Sequence, residues 1–199
     1  MKKLLAILAI ALLASSAMAT VDPDPDGIGV YFDLPGDIVC TTTAAPFANV
    51  VGFLLATNPS ASAGISGWEA QIWTGGAAPV APAWTLAAGL DVDPSAEGFQ
   101  VGIGTGALAL PWAPAVVLAT WSGFVMSPAD AIEFFVAGVP GSTSFADSPG
   151  YAAGDNAGDL RPFQVSSGTG LDLPVAGINI CNVIANENLT FSNVKALYR

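Results

Sequence analysis

The residues best suited to chemistry near the start of the chain are closely spaced aspartates. Asp22, Asp24, Asp26 and Gly27 match positions 1, 3, 5 and 6 of a twelve-residue calcium loop, and Asp33 falls at position 12. Calcium binds several hard oxygen ligands, which closely spaced carboxylates supply. The spacing alone therefore predicts a calcium site.

Other features of the same segment oppose an EF-hand. An EF-hand needs an entering helix, whereas cleavage of a signal peptide would leave only Thr20 and Val21 before Asp22. Pro23 and Pro25 favour extended polyproline geometry, which separates the carboxylates, and position 12 holds Asp instead of the bidentate Glu. We interpret the segment as a stiff acidic lead-in to a first strand, with a looser calcium site as the alternative.

A second acidic group lies in residues 141–162, which are glycine-rich and polar and are predicted to form one long loop. Asp155, Asn156 and Asp159 offer another candidate calcium site. The alternative is a solvated turn in which Asp159 pairs with Arg161.

The sequence contains few residues that could catalyse a reaction. The chain has no histidine, which excludes Ser-His-Asp and Cys-His arrangements and a Cys/His zinc site. Glu69 and Glu133 are the best-placed pair of carboxylates for a small hydrolase, although glutamates that point outward from strands are usually solvated surface. We predict a non-enzymatic protein without catalytic residues, and a carboxylate-dependent hydrolase is a minor alternative.

Tryptophans offer a binding function instead. In the segment GWEAQIWT, alternation places Trp68 inward and Trp73 outward, where an indole could stack on a sugar ring. Trp112 lies in the proline-flanked turn ALPWAP and is a second exposed candidate. Trp73 and Trp112 are therefore the predicted ligand-binding residues.

The elements that must position these residues are strands. No stretch of ten or more residues keeps a helical stripe, whereas period-two and buried-strand patterns recur between Pro, Gly and Asn clusters. About nine short strands predict an all-β, single β-sandwich of jelly-roll or immunoglobulin-like type. The last ten residues, TFSNVKALYR, predict a short C-terminal helix capped by Thr190 or Ser192. The nine predicted strands lie within 28–34, 37–43, 47–57, 67–74, 83–90, 98–104, 115–124, 131–138 and 175–181.

The N-terminal segment 1–19 has the pattern of a signal peptide. Lys2 and Lys3 precede the apolar run Leu4–Ala14, and small residues before Thr20 form a cleavage site at Ala19. The run is shorter than the roughly 20 residues that span a bilayer. We therefore expect residues 20–199 to form one domain that is secreted to the periplasm or beyond, without a membrane anchor.

The charge of the mature chain excludes some partners. Loss of both lysines leaves three basic side chains against sixteen acidic ones, a formal net charge of −13. This charge opposes binding to nucleic acid or to anionic lipid and attracts cations. Charged residues are nevertheless only 11% of the chain, so its surface should repel neighbouring molecules little. We therefore expect the chain to contact a protein or polysaccharide surface or to associate with itself.

Cys40 and Cys181 are the two cysteines of the chain. In an oxidising compartment, an even pair predicts a disulfide. Two separate buried thiols are the alternative.

Four segments carry a family resemblance. The stretches PDPDGIGVYFD, FLLATNPSASAGISGWE, FQVGIGTGALALPWAPAVVLATW and VKALYR resemble a group of uncharacterised exported bacterial proteins, which implies no specific activity. The order and character of NPS…GISGWEAQI and LATWSGFVMSPADAIEFFVAG are also similar to cohesin-like jelly-roll modules, which receive dockerins. Together with the residue patterns, these resemblances imply a binding or assembly domain at the cell surface or outside it. A carbohydrate-binding module, with calcium support, is the second interpretation.

Overall fold

The chain folds into an all-β structure. The computed structural model describes residues 24–167 and 173–181, and its one helical element in those ranges is a single 3₁₀ turn at Gly106–Leu108. The strands, in chain order, are β1 (Gly27–Tyr31), β2 (Cys40–Thr41), β3 (Ala48–Thr57), β4 (Ile65–Gly76), β5 (Val80–Leu86), β6 (Leu90–Asp91), β7 (Gly98–Gly102), β8 (Ala115–Val125), β9 (Ile132–Ala137), β10 (Gly150–Ala153), β11 (Leu160–Pro162), β12 (Gln164–Val165) and β13 (Ala176–Ile178).

The strands form two sheets. The smaller sheet has the order β12-β1-β3-β8-β5, and the larger sheet has eight strands around β4. Strand β4 pairs with β7 along one edge and with β9 and β10 along the other, and β7 pairs in turn with β6. Beyond β9 lie β13 and β2, and beyond β10 lies β11. All pairs are antiparallel except β1 with β12 and β2 with β13.

The core lies between the two sheets. In β4, alternate residues Trp68, Ala70 and Ile72 are buried, as the period-two pattern predicts. From the smaller sheet, Trp121 meets Phe134 of the larger sheet edge to face, with 5.0 Å between the ring centroids. Two sheets joined by such contacts are a β-sandwich, so the predicted fold class is confirmed.

The prediction that residues 141–162 form one long loop is wrong. It contains β10 and β11, and Tyr151 of β10 is fully buried, with its ring stacked on Phe163 at 4.8 Å. Glycine and alanine have low strand propensity, so the sequence of β10 gives little strand signal. Its pairing with β4, which begins at Gly150, supplies the stability that its own residues lack.

Strands β9 and β10 are two parts of one interrupted strand. Ala137 of β9 pairs with Gln71, and Gly150 of β10 pairs with Glu69 on the same edge of β4. Residues 138–149 leave the sheet between these two pairs and return to it, and we call them the 138–149 loop. The loop therefore emerges beside Glu69, near the middle of the larger sheet.

Cys40 and Cys181 form a disulfide, as predicted, with 5.6 Å between their Cα atoms. The bond lies where β2 pairs with β13 at an edge of the larger sheet.

Two predictions, the signal peptide over 1–19 and the helix over 190–199, lie outside the described residues. Within the described ranges, no helix is long and apolar enough to cross a membrane.

Candidate functional site

The predicted calcium ligand Asp26 is an anchor for hydrogen bonds within the protein. Its Oδ1 accepts hydrogen bonds from the backbone N–H of Ser60 at 2.7 Å and from the hydroxyl of Tyr151 at 2.5 Å. Its Oδ2 accepts a third from the Ser60 hydroxyl at 2.6 Å. Asp24 is half-buried at the start of the described chain, and Asp22 precedes it. Both oxygens of Asp26 are thus used to fix the start of β1 to two other segments.

The second predicted calcium group, Asp155 to Asp159, contains the Asp159–Arg161 ion pair that the alternative interpretation predicts. Asp159 forms a bidentate ion pair with Arg161, whose shorter contact is 2.7 Å, and this guanidinium lowers the pKa of Asp159. Arg161 also donates to the Ser60 hydroxyl at 2.8 Å, so the two acidic segments meet at Ser60. Asp155 is exposed in the turn before them. In residues 24–167 and 173–181, no three acidic or cysteine side chains form a metal-binding group, and calcium binding stays a prediction.

The two predicted tryptophans lie far apart. Trp73 points outward from β4, as predicted, and it is half-buried because its ring stacks on Phe135 at 5.3 Å. Trp112 is 49% exposed, and its Nε1 donates to the carbonyl of Pro59 at 2.8 Å. Trp112 follows the bridge between Ile65 and Leu110, at the other end of β4. About eight strand residues, or roughly 26 Å, separate the two positions, so they do not form one platform.

The two predicted glutamates share a face of the larger sheet but not a site. Glu133 pairs with Gly75, which lies six residues after Glu69 in β4. Six residues of strand span about 20 Å, whereas glycosidase carboxylates stand about 5–9.5 Å apart. Glu69 is also only 7% exposed, which corrects the expectation that it is solvated surface. The cause is the 138–149 loop, whose Ser142 hydroxyl donates to Glu69 Oε1.

An apolar surface that sequence reasoning missed lies on the outer side of the smaller sheet. In register, the outward side chains of β3, β8 and β5 form rows such as Asn49–Phe124–Val80 and Val51–Ser122–Ala83. None of the residues of these three strands is charged. We call the exposed part of this surface the apolar face; its members, with their exposed fractions, are Phe47 (65%), Val80 (46%), Phe124 (43%), Val51 (41%) and Met126 (39%).

Phe47 adds a backbone signal to the apolar face. Its φ is +56°, a left-handed conformation that bulky residues rarely adopt. Strain of this kind costs about 1–3 kcal/mol and tends to occur where a site requires it. Phe47 directly precedes and Met126 directly follows the last pair of the β3–β8 ladder, Ala48 with Val125. A sequence signal for this face did exist, since three neighbouring strands lack charge, but the strand order that joins them was unknown.

Comparison with known proteins yields no relative: no family model, no curated protein and no solved structure matches this chain.

Proposed function

We propose that this chain is an exported, non-enzymatic assembly module whose copies associate through the apolar face of the smaller sheet. The observation that carries the proposal is a surface of three uncharged strands with three exposed large hydrophobic side chains, extended by two more, Phe47 and Met126, directly beside the strand ends. The largest apolar patch on a soluble monomer, roughly 300–600 Å², is often a functional site. The strained, exposed Phe47 at its end supports the same interpretation.

A second copy of the chain is the partner that fits this face best. The described residues contain thirteen acidic side chains and one basic one, Arg161, which is paired with Asp159. Although charged residues are sparse, two such copies still repel one another where acidic side chains of one meet those of the other. The apolar face lacks that repulsion, and an apolar patch is complementary to itself under the two-fold symmetry of most homodimers. Two sheets can pack face to face at about 10 Å.

The size of the face predicts weak association. Three strands at about 4.8 Å spacing, over about seven residues of about 3.3 Å, cover roughly 300 Å² per copy. Standard stable interfaces bury about 800 Å² per partner. The association is therefore reversible, and it becomes significant where copies are concentrated, as on a cell surface.

Export is the second part of the proposal. It is supported by the signal-peptide pattern of residues 1–19 and by the Cys40–Cys181 disulfide, since such bonds persist in oxidising compartments. The full-length chain should be expressed in a bacterial host, and its exported fraction analysed by intact-mass spectrometry. The expected product begins at Thr20. A product that keeps residues 1–19 and remains in the cytoplasm contradicts export.

Sedimentation equilibrium over a range of concentrations tests the association. Two variants test the interface, Val51→Lys and Phe124→Lys. Each would bury one lysine from each copy, so that both charges lose water and repel one another. Each is expected to weaken association at least tenfold. Val92→Lys is the matched control, because Val92 is 66% exposed but belongs to the larger sheet side of the molecule.

Salt gives an independent check on the same samples. Added sodium chloride screens the repulsion between acidic copies, so it should strengthen association of the wild-type chain. A chain that stays monomeric at all concentrations, or variants that associate as well as Val92→Lys, contradict the proposal.

A second candidate function is binding of an insoluble polysaccharide through Trp112. The observation in its favour is an indole that is half exposed yet held in place by its hydrogen bond to Pro59. A cellulose pull-down would detect this function. Trp112→Ala should abolish binding to cellulose, whereas Trp73→Ala should still bind, because the Trp73 ring is half covered by Phe135.

A further inference from the structure

A polar cleft lies on the outer side of the larger sheet, opposite to the apolar face. It has a volume of about 310 Å³ and forms where the 138–149 loop leaves the sheet. Small-molecule sites occupy about 300–1,000 Å³, so this cleft has the size for a small ligand. The side chains that matter in its lining are Glu69, Gln100, Ser142, Thr143, Ser144 and Phe145.

The loop that forms the cleft is held in place from several directions. Its turn is closed by hydrogen bonds from Ser142 N–H to Val139 and from Ser148 N–H to Phe145, at 3.1 and 3.0 Å. The Ser142 hydroxyl donates to Glu69 and accepts from Ser144 N–H at 3.2 Å. The Phe145 ring occupies the space over Gly150, where a Cβ atom would overlap it. The wall of the cleft is therefore largely formed before a ligand arrives.

The carboxylate of Glu69 is the feature that points to a ligand. The residue as a whole is 7% exposed, and Oε1 of its carboxylate accepts the hydrogen bond from the Ser142 hydroxyl. The single basic side chain in the described residues, Arg161, is occupied by Asp159. An ionised carboxylate can accept several hydrogen bonds, so Glu69 keeps capacity for donors from a ligand in the cleft.

The rest of the lining decides the ligand class. One amide, three hydroxyls and one aromatic ring line the cleft together with the carboxylate, and the described residues add no second or third acidic group to coordinate a metal ion. Adjacent hydroxyls of a sugar can both donate to one carboxylate, amides and hydroxyls pair with the remaining ones, and an aromatic ring packs on the C–H face. We propose that this cleft binds about one or two sugar rings of a neutral saccharide, with Glu69 as the central acceptor.

This proposal depends neither on the apolar face nor on Trp112, so each can fail alone. Isothermal titration calorimetry of the full exported chain tests it with glucose, galactose, N-acetylglucosamine and cellobiose. At least one saccharide is expected to bind. Glu69→Gln, which keeps the shape but removes the charge, should weaken that binding at least tenfold.

Glu133→Gln is the matched control, because it makes the same change on the same sheet about 20 Å away, and it should change the affinity less than twofold. If Glu69→Gln fails to fold, Gln100→Ala at the half-buried rim replaces it and should weaken binding several-fold. The proposal is overturned if no saccharide binds, if both Glu69→Gln and Gln100→Ala bind as the wild type does, or if spermidine or calcium chloride binds in the cleft and the saccharides do not.

Discussion

Tyr151 shows how one buried polar residue holds the end of the sandwich together. Its hydroxyl donates to Asp26 and accepts from the N–H of Ala61 at 3.1 Å, while its ring is fully buried. Burial and the hydrogen bond to Asp26 raise the pKa of Tyr151 above its ordinary value of about 10. The neutral phenol is therefore the form that the fold requires.

Tyr151→Phe removes this hydroxyl and leaves the N–H of Ala61 without its acceptor. We expect a loss of about 1–3 kcal/mol in the free energy of unfolding at pH 7, measured by urea titration. Because the folded pKa of Tyr151 is raised, its stabilisation is present below pH 10 and is lost as the pH rises through the folded value. The variant should consequently lose less stability than the wild type above pH 10. Parallel alkaline curves would show that Tyr151 does not titrate differently on folding.

Asn179 is a second residue with a local role that can be separated into parts. It adopts a φ of +58°, and its amide group accepts from Thr43 N–H at 2.7 Å and donates to the carbonyl of Asp130 at 3.0 Å. Asn179→Gly loses these hydrogen bonds but tolerates the left-handed backbone conformation. Asn179→Ala loses the hydrogen bonds and is also strained in that conformation. Thermal unfolding should rank wild type above Gly and Gly above Ala, with about 1–3 kcal/mol for the first step and about 1 kcal/mol for the second. Equal stability of the two variants would assign the whole effect to the hydrogen bonds.

At the scale of elements, the interrupted strand is the feature on which the cleft depends. Gly150 opens β10 and lies under the ring of Phe145, so a methyl group there must displace the 138–149 loop. Gly150→Ala should cost about 1–3 kcal/mol by overpacking, as measured by thermal unfolding. The double variant Gly150→Ala/Phe145→Ala should recover part of that loss, because the small side chain removes the overlap. Additive losses would place the strain elsewhere.

The same element shows what the sequence could and could not predict. All nine predicted strands occur, because alternating apolar residues in segments such as β4 and β8 give a direct signal of a half-buried sheet. Strand β10 gives no such signal, since three of its four residues are Gly or Ala. Glu69 was predicted to point outward, which is correct, but its burial depends on a loop about seventy residues later in the chain. Local patterns carry no information about such long-range covering.

At the scale of the whole molecule, the proposed functions occupy opposite sides of the sandwich. The apolar face lies outside the smaller sheet and the cleft lies outside the larger one, so association through the first leaves the second accessible. A module of this form could therefore bind saccharide while it is part of an assembly. Both surfaces depend on the register of strands that one covalent bond helps to fix.

The Cys40–Cys181 disulfide closes a sequence separation of 141 residues, which contains every strand except β1. In the chain-entropy model, a loop of this length stabilises the fold by about 5 kcal/mol, because the bond restricts the unfolded chain. We expect Cys40→Ser/Cys181→Ser to lose about 2–5 kcal/mol in urea titrations, and the wild type under reducing conditions to match it. The variant also exposes more chain on unfolding, so its m-value should rise. If the reduced wild type and the variant are both as stable as the oxidised protein, strand pairing between β2 and β13 suffices to close this edge of the sheet without the bond.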